Sequence, residues 1–507
     1  MIFGGFRDLY SKDKIGAFYL SLRYFILLLL FLSILCLPYR VNQDCAIFLQ
    51  CGMNLLEGKK PYIDFVDINP PLIMYLNIVP AGAAQLLHLH IFPVFQILVL
   101  GFVSLSASLV SRILRASDAI PRRTVEAIAA MLAASVLYSY LRCDFGQREH
   151  LFILAYLPYF CFRFAQSEGR KISPPLCYSL TAAAAIFACV KPHFLLAMAM
   201  TEGFFMLRSR KFITAQNLTA AACAGAYALH FLFLPQDVFD SFFHRYIPLT
   251  IKGYEAYNVT YANMLSDYLF LGIAFIVIAT LTAAYCWRPR YKNAVYALSL
   301  FAGASLAMFL QQKKGFHYHL IPALYGAAML SVGLVEMIAQ WLSASAARRR
   351  IVSALLLAPA ALCLFLAGYW LLRLPGYSWQ PISGETRQVL ETYSRPGDAV
   401  FNAVRLVEPG FSVLTELNRR PVCRYFTLWP PSLIQHLYEK GDPSASVEEE
   451  RFLKEITEET RKSKPVLVWS DKGNFEYLSQ KDFFKNLYGN YRTLFVEHYV
   501  FVIPKRN

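Results

Sequence analysis

Charge is scarce in this sequence, and the short motifs of soluble chemistry are missing. Only 16% of its 507 residues are Asp, Glu, Lys or Arg. The eleven cysteines are odd in number and mostly set inside apolar runs. They make no disulfide framework, and no CxxC or Cys/His spacing marks a zinc site. The N-terminal basic residues Arg7, Lys12, Lys14 and Arg23 lead into an apolar run that stops at Pro38 without a small-residue cleavage site, so the first run reads as a retained span. No nucleotide-binding glycine loop appears in the C-terminal stretch, and no inverted repeat is evident. A secreted disulfide scaffold, a zinc domain and a nucleotide-dependent tail are thereby disfavoured.

What is abundant is apolar surface. Hydrophobic residues make up 56% of the chain and aromatics 15%, with a mean hydropathy of +0.39. These values predict an α-helical polytopic membrane protein. The net charge of +15 fits basic inner loops better than nucleic-acid binding.

About eleven spans are expected, at 22–38, 91–111, 125–141, 151–165, 176–190, 194–207, 212–234, 265–286, 293–310, 319–342 and 351–372. With the N-terminus inside, every inner loop is basic: Arg112/Arg115/Arg122/Arg123, Arg170/Lys171, Arg208/Arg210/Lys211, Arg288/Arg290/Lys292 and Arg348/Arg349/Arg350. That parity requires residues 70–87, "PPLIMYLNIVPAGAAQLL", to lie in the outer interface as a juxtamembrane helix rather than to cross. The chain then divides into a membrane module, 1–375, with its first outer loop at 39–90, and an extracytoplasmic α/β domain, 376–507. In that tail "EEERFLKEITEETRKSK" reads as a charged helix, and "GDAVFNA", "KPVLVWSD" and "VEHYVFVIP" as strands. The expected setting is a bacterial inner membrane, N-terminus cytoplasmic and tail extracytoplasmic.

Cations on the outer side run against the positive-inside trend, which makes them informative: Arg40, Lys59/Lys60, Arg142/Arg148, Lys191, Arg245, Lys252 and Lys313/Lys314. A lipid phosphate is one partner for such groups, and snorkelling to ordinary headgroups is the alternative. Residues 44–57 read as one amphipathic helix, stopped by Gly58 and Pro61. Asp44 falls at or beside its N-cap. It can cap the helix, or stand ionised at the membrane surface to accept a proton, and the two roles are compatible.

Asp64 and Asp67, before a Pro pair, read as turn residues or as a second acid. Asp144 in "RCDFGQREHL" reads as the first residue of a capping box with Gln147, or as another candidate for the second acid. Arg148 is the phosphate candidate at the mouth of the next span, with Glu149 and His150 orienting it. Lys191 in "VKPHF" ends a span outside. "QQKKGFHYHLIPALYG" brings Lys313, Lys314, His317, Tyr318 and His319 into a span entry, where Tyr318 reads equally as an aromatic-belt residue.

Taken in order, these segments resemble the GT-C superfamily of membrane glycosyltransferases, of the protein-mannosyltransferase and aminoarabinose-transferase kind. The resemblance lies in Asp44 early in the first outer loop, "LLEGKKPY", "NPPL", "RCDFG", Lys191–Pro192 and "KKGFHYHLIP", and it covers the chain to about residue 325. Two positions depart from the family pattern: Asp44 is followed by Cys45 rather than a second acid, and Asn69 stands where Lys often precedes the Pro pair. The resemblance implies an inverting transfer of a sugar from a polyprenyl-phosphate donor to an acceptor hydroxyl of a glycan, lipid or protein on the outer face. It implies Asp44 as the base, and Arg148, Lys191, Lys313 and Lys314 as the phosphate-facing cations, with His317, His319 and Tyr318 beside them. No ligand cluster demands a metal, and the sequence leaves a divalent ion open. A lipid-linked oligosaccharide ligase or polymerase has a similar inventory of Arg and His, although the early Asp argues against it. A transporter is disfavoured because the charges sit at span ends, and a noncatalytic scaffold remains if Asp44 is a cap alone.

Overall fold

The computed structural model describes residues 14–342, 349–374, 382–405 and 410–505. Arg7, Lys12, Arg348 and the expected module boundary at 375/376 lie outside the described residues. Each of the eleven apolar segments coincides with a helix. Lys14–Cys36 starts earlier than the expected 22–38, and within it Arg23 lies on a buried face 3.9 Å from Glu126. The others are Ile91–Arg115, Arg122–Leu141, Arg148–Ser167, Pro174–Cys189, His193–Ser209, Ala215–His230, Tyr268–Trp287, Lys292–Gln312, Ile321–Leu342 and Arg349–Arg373. Among the described residues, length and composition alone single out seven helices able to cross a membrane. The protein is an integral membrane protein. Exposed Phe25, Leu28, Leu32, Phe275 and Ile278 are the side chains expected of lipid-facing helix surfaces.

Two compact units form. The first comprises residues 1–38, 96–230 and 259–377. Its centre is Arg122–Leu141, whose small residues Ala129, Ala130, Ala133 and Ala134 are fully buried and let neighbouring helices approach closely. Polar contacts staple this core. Trp370 Nε1 donates to Ser33 Oγ at 2.6 Å. Arg123 pairs with Glu336 at 2.7 Å, and Thr124 donates to the same carboxylate at 2.8 Å. Arg163 and Glu202 pair at 2.8 Å. A removed partner in such a pair would leave a buried charge uncompensated.

The second unit comprises 39–95, 231–258 and 378–507. Its five-stranded sheet has the order β2-β1-β3-β5-β4, with β1 Ala399–Ala403, β2 Arg420–Pro421, β3 Leu467–Asp471, β4 Arg492–Val496 and β5 Tyr499–Ile503. β1 is parallel to β2 and β3, whereas β5 is antiparallel to β3 and β4. Trp469, Phe501, Val400, Leu467 and Ile503 fill its core. The charged segment is the helix Ser444–Ser463, which presents Phe452 and Ile456 inward. In the first loop the helix Gln43–Leu56 crosses the turn at Asn77 so closely that a Cβ on Gly52 would lie 2.3 Å from the Asn77 carbonyl oxygen. Residues 70–87 form two short helices, Leu72–Leu76 and Ile78–Leu87, in this second unit.

Candidate functional site

The candidate residues fall in both units. In the second, Asn42 caps the helix Gln43–Leu56: its Oδ1 accepts from the Asp44 amide at 2.9 Å. Asp44 therefore lies one residue inside the helix, and the capping position is held by its neighbour. Asp64 and Asp67 do turn work. Asp64 accepts from the Lys60 amide at 2.7 Å, and Asp67 accepts from the Asn69 backbone and side-chain amides at 2.8 and 2.6 Å. Two expected outer cations are tied to the C-terminal segment of the same unit, Arg245 to Glu455 at 2.6 Å and Lys252 to Asp442 at 2.9 Å.

In the first unit, the loop before Arg148–Ser167 turns back through positive φ at Cys143 and Gly146. The N-cap of this helix is Gln147, which corrects the capping box expected from Asp144. The extra turn of loop puts Asp144 3.9 Å from Arg142 instead. Arg148, Glu149 and His150 then occupy the first helical turn and are all buried. His150 Nδ1 accepts from the Gly146 amide at 3.0 Å, so it braces the loop.

Glu149 is the hub. Its Oε1 accepts from Lys191 Nζ at 2.8 Å and lies 3.9 Å from His319 Nε2. Lys191 is thus held inward by a carboxylate, its side chain 12% exposed, where a snorkelling lysine would extend to headgroups. Arg148, Lys191, His193 and Lys314 are all close enough to His319 to act on it electrostatically, and Glu149 acts likewise on His193. Three buried polar atoms in this cluster, Glu149 Oε2, His193 Nδ1 and His319 Nδ1, have no hydrogen-bond partner among the described residues. Buried polar atoms are almost always paired, so these three mark a place where a polar ligand or water completes the bonding.

The remaining late-loop residues separate. His317 engages both ring nitrogens with protein groups, Nε2 with Asp267 at 2.6 Å and Nδ1 with Arg142 at 2.9 Å. Asp267 also caps Tyr268–Trp287 by accepting from the Leu269 and Phe270 amides. Burial opposes its ionisation, but the Phe270 amide and His317 hold it below the ordinary carboxylate value. Lys313 ends its helix in the left-handed conformation and places Nζ 4.5 Å from the Tyr261 ring centre, a cation–π contact. Tyr318 packs edge-on against His319 at 4.4 Å and stacks on Phe316.

In fold, the chain is similar to ArnT from Cupriavidus metallidurans bound to undecaprenyl phosphate, with a TM-score of 0.59 over 96% of this chain and 98% of that one. The chain has the GT-C fold. ArnT in the apo state aligns at a TM-score of 0.52 over 86% and 87%. Identity is 12% in both comparisons, so the likeness is one of fold. No protein-family model matches the sequence, and no curated protein matches it.

On this GT-C scaffold, Arg148, Lys191, Lys314 and His319 converge, whereas His317 and Lys313 turn to Asp267, Arg142 and Tyr261. Sequence reasoning missed Asp267, His193 and the central place of Glu149. An acid in the first turn of an otherwise apolar helix was the available signal for Glu149.

Proposed function

We propose that the protein is a glycosyltransferase that moves a sugar from a polyprenyl-phosphate donor to an acceptor hydroxyl. It works on the outer face of a bacterial inner membrane, with the N-terminus cytoplasmic and the C-terminal α/β region outside. The observation that carries this reading is the cluster around Glu149: a lysine, two histidines and nearby Arg148 and Lys314, with three buried polar atoms awaiting partners. The cations and imidazoles suit the oxygens of a phosphate ester, and the bare Glu149 oxygen calls for a donor such as a sugar hydroxyl or water. The fold supports it, because ArnT, which shares that fold, has been crystallised with undecaprenyl phosphate.

In the proposed reaction the acceptor oxygen attacks the anomeric carbon from the face opposite the phosphate, and the bond from that carbon to the phosphate oxygen breaks. Asp44 takes the acceptor proton, the sugar inverts, and polyprenyl phosphate departs with its charge met by Arg148 and Lys191. Asp44 is favoured for the base because Asn42 already caps its helix. Lys314 and Tyr318 would line the donor rather than react, while Lys313, held over the Tyr261 ring, would stand back from it. The acceptor is a glycan, a lipid or a protein.

Mass spectrometry of lipids released from the purified protein tests the reading. A polyprenyl-phosphate sugar, or the free polyprenyl phosphate, is expected. Consistent recovery of some other solute with no prenyl phosphate would overturn it.

A further inference from the structure

Away from the acidic and basic groups discussed so far, the second unit contains an open cavity of about 320 Å³, within the range of small-ligand sites. Three segments of that unit build it: the turn Tyr254–Tyr257, the helix Pro430–Glu439, and Arg405 just beyond β1. Its walls carry Tyr257, Arg405, Ser432, Gln435, His436 and Glu439. That is a guanidinium, an imidazole, a carboxylate, a primary amide, a hydroxyl and an aromatic ring around one small space.

The walls are firmly placed. Leu249, Leu433, Leu437 and Ala445 form a core beneath them, with Tyr257 packed against it. Gly253 lies so near Leu433 that a Cβ there would come within 2.7 Å of its side chain. The Arg405 amide donates to Asp471 Oδ2 at 2.6 Å. Inside, Gln435 Nε2 donates to Glu439 Oε1 at 3.2 Å, and the remaining polar groups are less fully engaged. His436 Nε2 is buried without a hydrogen-bond partner among the described residues, and the Nδ1 of the same ring is 4.0 Å from Glu439. Among the described residues no carboxylate pairs with the Arg405 guanidinium at ion-pair distance.

We propose that this cavity binds a small saccharide carrying one anionic group. Arg405 meets the carboxylate or phosphate, while Gln435, His436 and Glu439 exchange hydrogen bonds with ring hydroxyls and Tyr257 offers apolar surface to the ring. A neutral apolar ligand would leave the Arg405 guanidinium and His436 Nε2 unmet, and a bare anion would make no use of the second amide hydrogen and second carboxylate oxygen of the Gln435–Glu439 pair. The site does not depend on the transferase reading; if that reading holds, the cavity is a place to hold the acceptor glycan.

Titration of the full-length protein in nanodiscs with glucuronate, glucose 6-phosphate, glucose and inorganic phosphate tests the proposal, with saturation-transfer NMR as the readout. Glucuronate or glucose 6-phosphate should bind saturably, and glucose should bind roughly tenfold more weakly or worse. R405A and H436F should each weaken the anionic sugar by roughly tenfold or more while the melting temperature stays near wild type. Equal binding of inorganic phosphate and the anionic sugars would reduce the site to an anion site and overturn the saccharide assignment. Binding that survives both variants, or no binding by any probe, would overturn the cavity as the site. Should either variant unfold, Q435A on the exposed side of the same wall replaces it, with the same loss expected.

Discussion

The Glu149 cluster of the first unit and the Glu455 network of the second are both built from ions largely withdrawn from solvent, yet they end in opposite states. Glu455 receives Arg245 and Arg424 on Oε1, and Arg245 and the Tyr425 hydroxyl on Oε2. Both its oxygens are fully engaged by protein. Glu149 has Lys191 on one oxygen and no hydrogen-bond partner on the other among the described residues, and the two nearby histidines each keep a bare nitrogen. A satisfied network fixes structure, whereas an incomplete one around a still more deeply buried carboxylate points to a ligand. The contrast separates stapling charges from site charges better than their positions along the chain do.

The largest expected effect that sharpens this division is on chemistry. Asp44→Asn should lower sugar transfer by roughly a thousandfold, the scale of a lost general base. Because Asn42 holds the cap, stability should fall by no more than about 1 kcal/mol, the helix-dipole contribution of a first-turn acid. Activity at the wild-type level in a radiolabelled-sugar transfer assay would remove Asp44 from the chemistry.

Next comes the structural network. Glu455→Ala should destabilise the second unit by about 3 kcal/mol, since Arg245 and Arg424 are left without their carboxylate, with prenyl-phosphate affinity unchanged. Urea denaturation followed by tryptophan fluorescence reads this; a loss of lipid binding without a loss of stability would collapse the contrast. The same carboxylate sets a pH dependence. Burial opposes its ionisation, but Arg245, Arg424 and Tyr425 hold it below the ordinary carboxylate value. Its contribution is therefore full above the unfolded value of about 4.3 and is lost as pH falls through the lower folded value. Wild type and Glu455→Gln should differ in stability at neutral pH and converge in strong acid.

Gly52→Ala should cost about 1–3 kcal/mol through overpacking against the Asn77 carbonyl, seen as a lowered melting temperature. The smallest effect belongs to Asp64→Asn. The residue is exposed and serves a local turn, so both stability and transfer should stay within about 0.5 kcal/mol of wild type. A large loss of transfer there would restore Asp64 as a second acid.

Much of the fold was legible because span-length apolar runs and basic inner loops are local signals. Residues 151–165 and 176–190, each below the length of a perpendicular span, still coincide with helices. β4 was not legible: in "RTLFV" exposure alternates weakly, and its pairing with β5 is set by the turn at Glu497. β2, two residues including Pro421, carries no periodicity at all. At the site, Arg148 and Lys191 stood out as cations at outer span ends. Glu149 as their hub did not, since Lys191 lies 42 residues onward and His319 farther still. The capping box expected at Asp144 failed for a local reason, as two positive-φ residues, Cys143 and Gly146, move the cap to Gln147.

The central claim is that the Glu149 cluster holds a lipid phosphate, and the double variant E149Q/K191M isolates it. Replacing both ions with neutral groups of similar size leaves no buried charge stranded, so folding should stay close to wild type. The measurement is the affinity of undecaprenyl phosphate for wild type and double variant in nanodiscs, by native mass spectrometry. A loss of roughly tenfold or more with an unchanged melting temperature is predicted. Equal affinity in the two proteins would contradict the account.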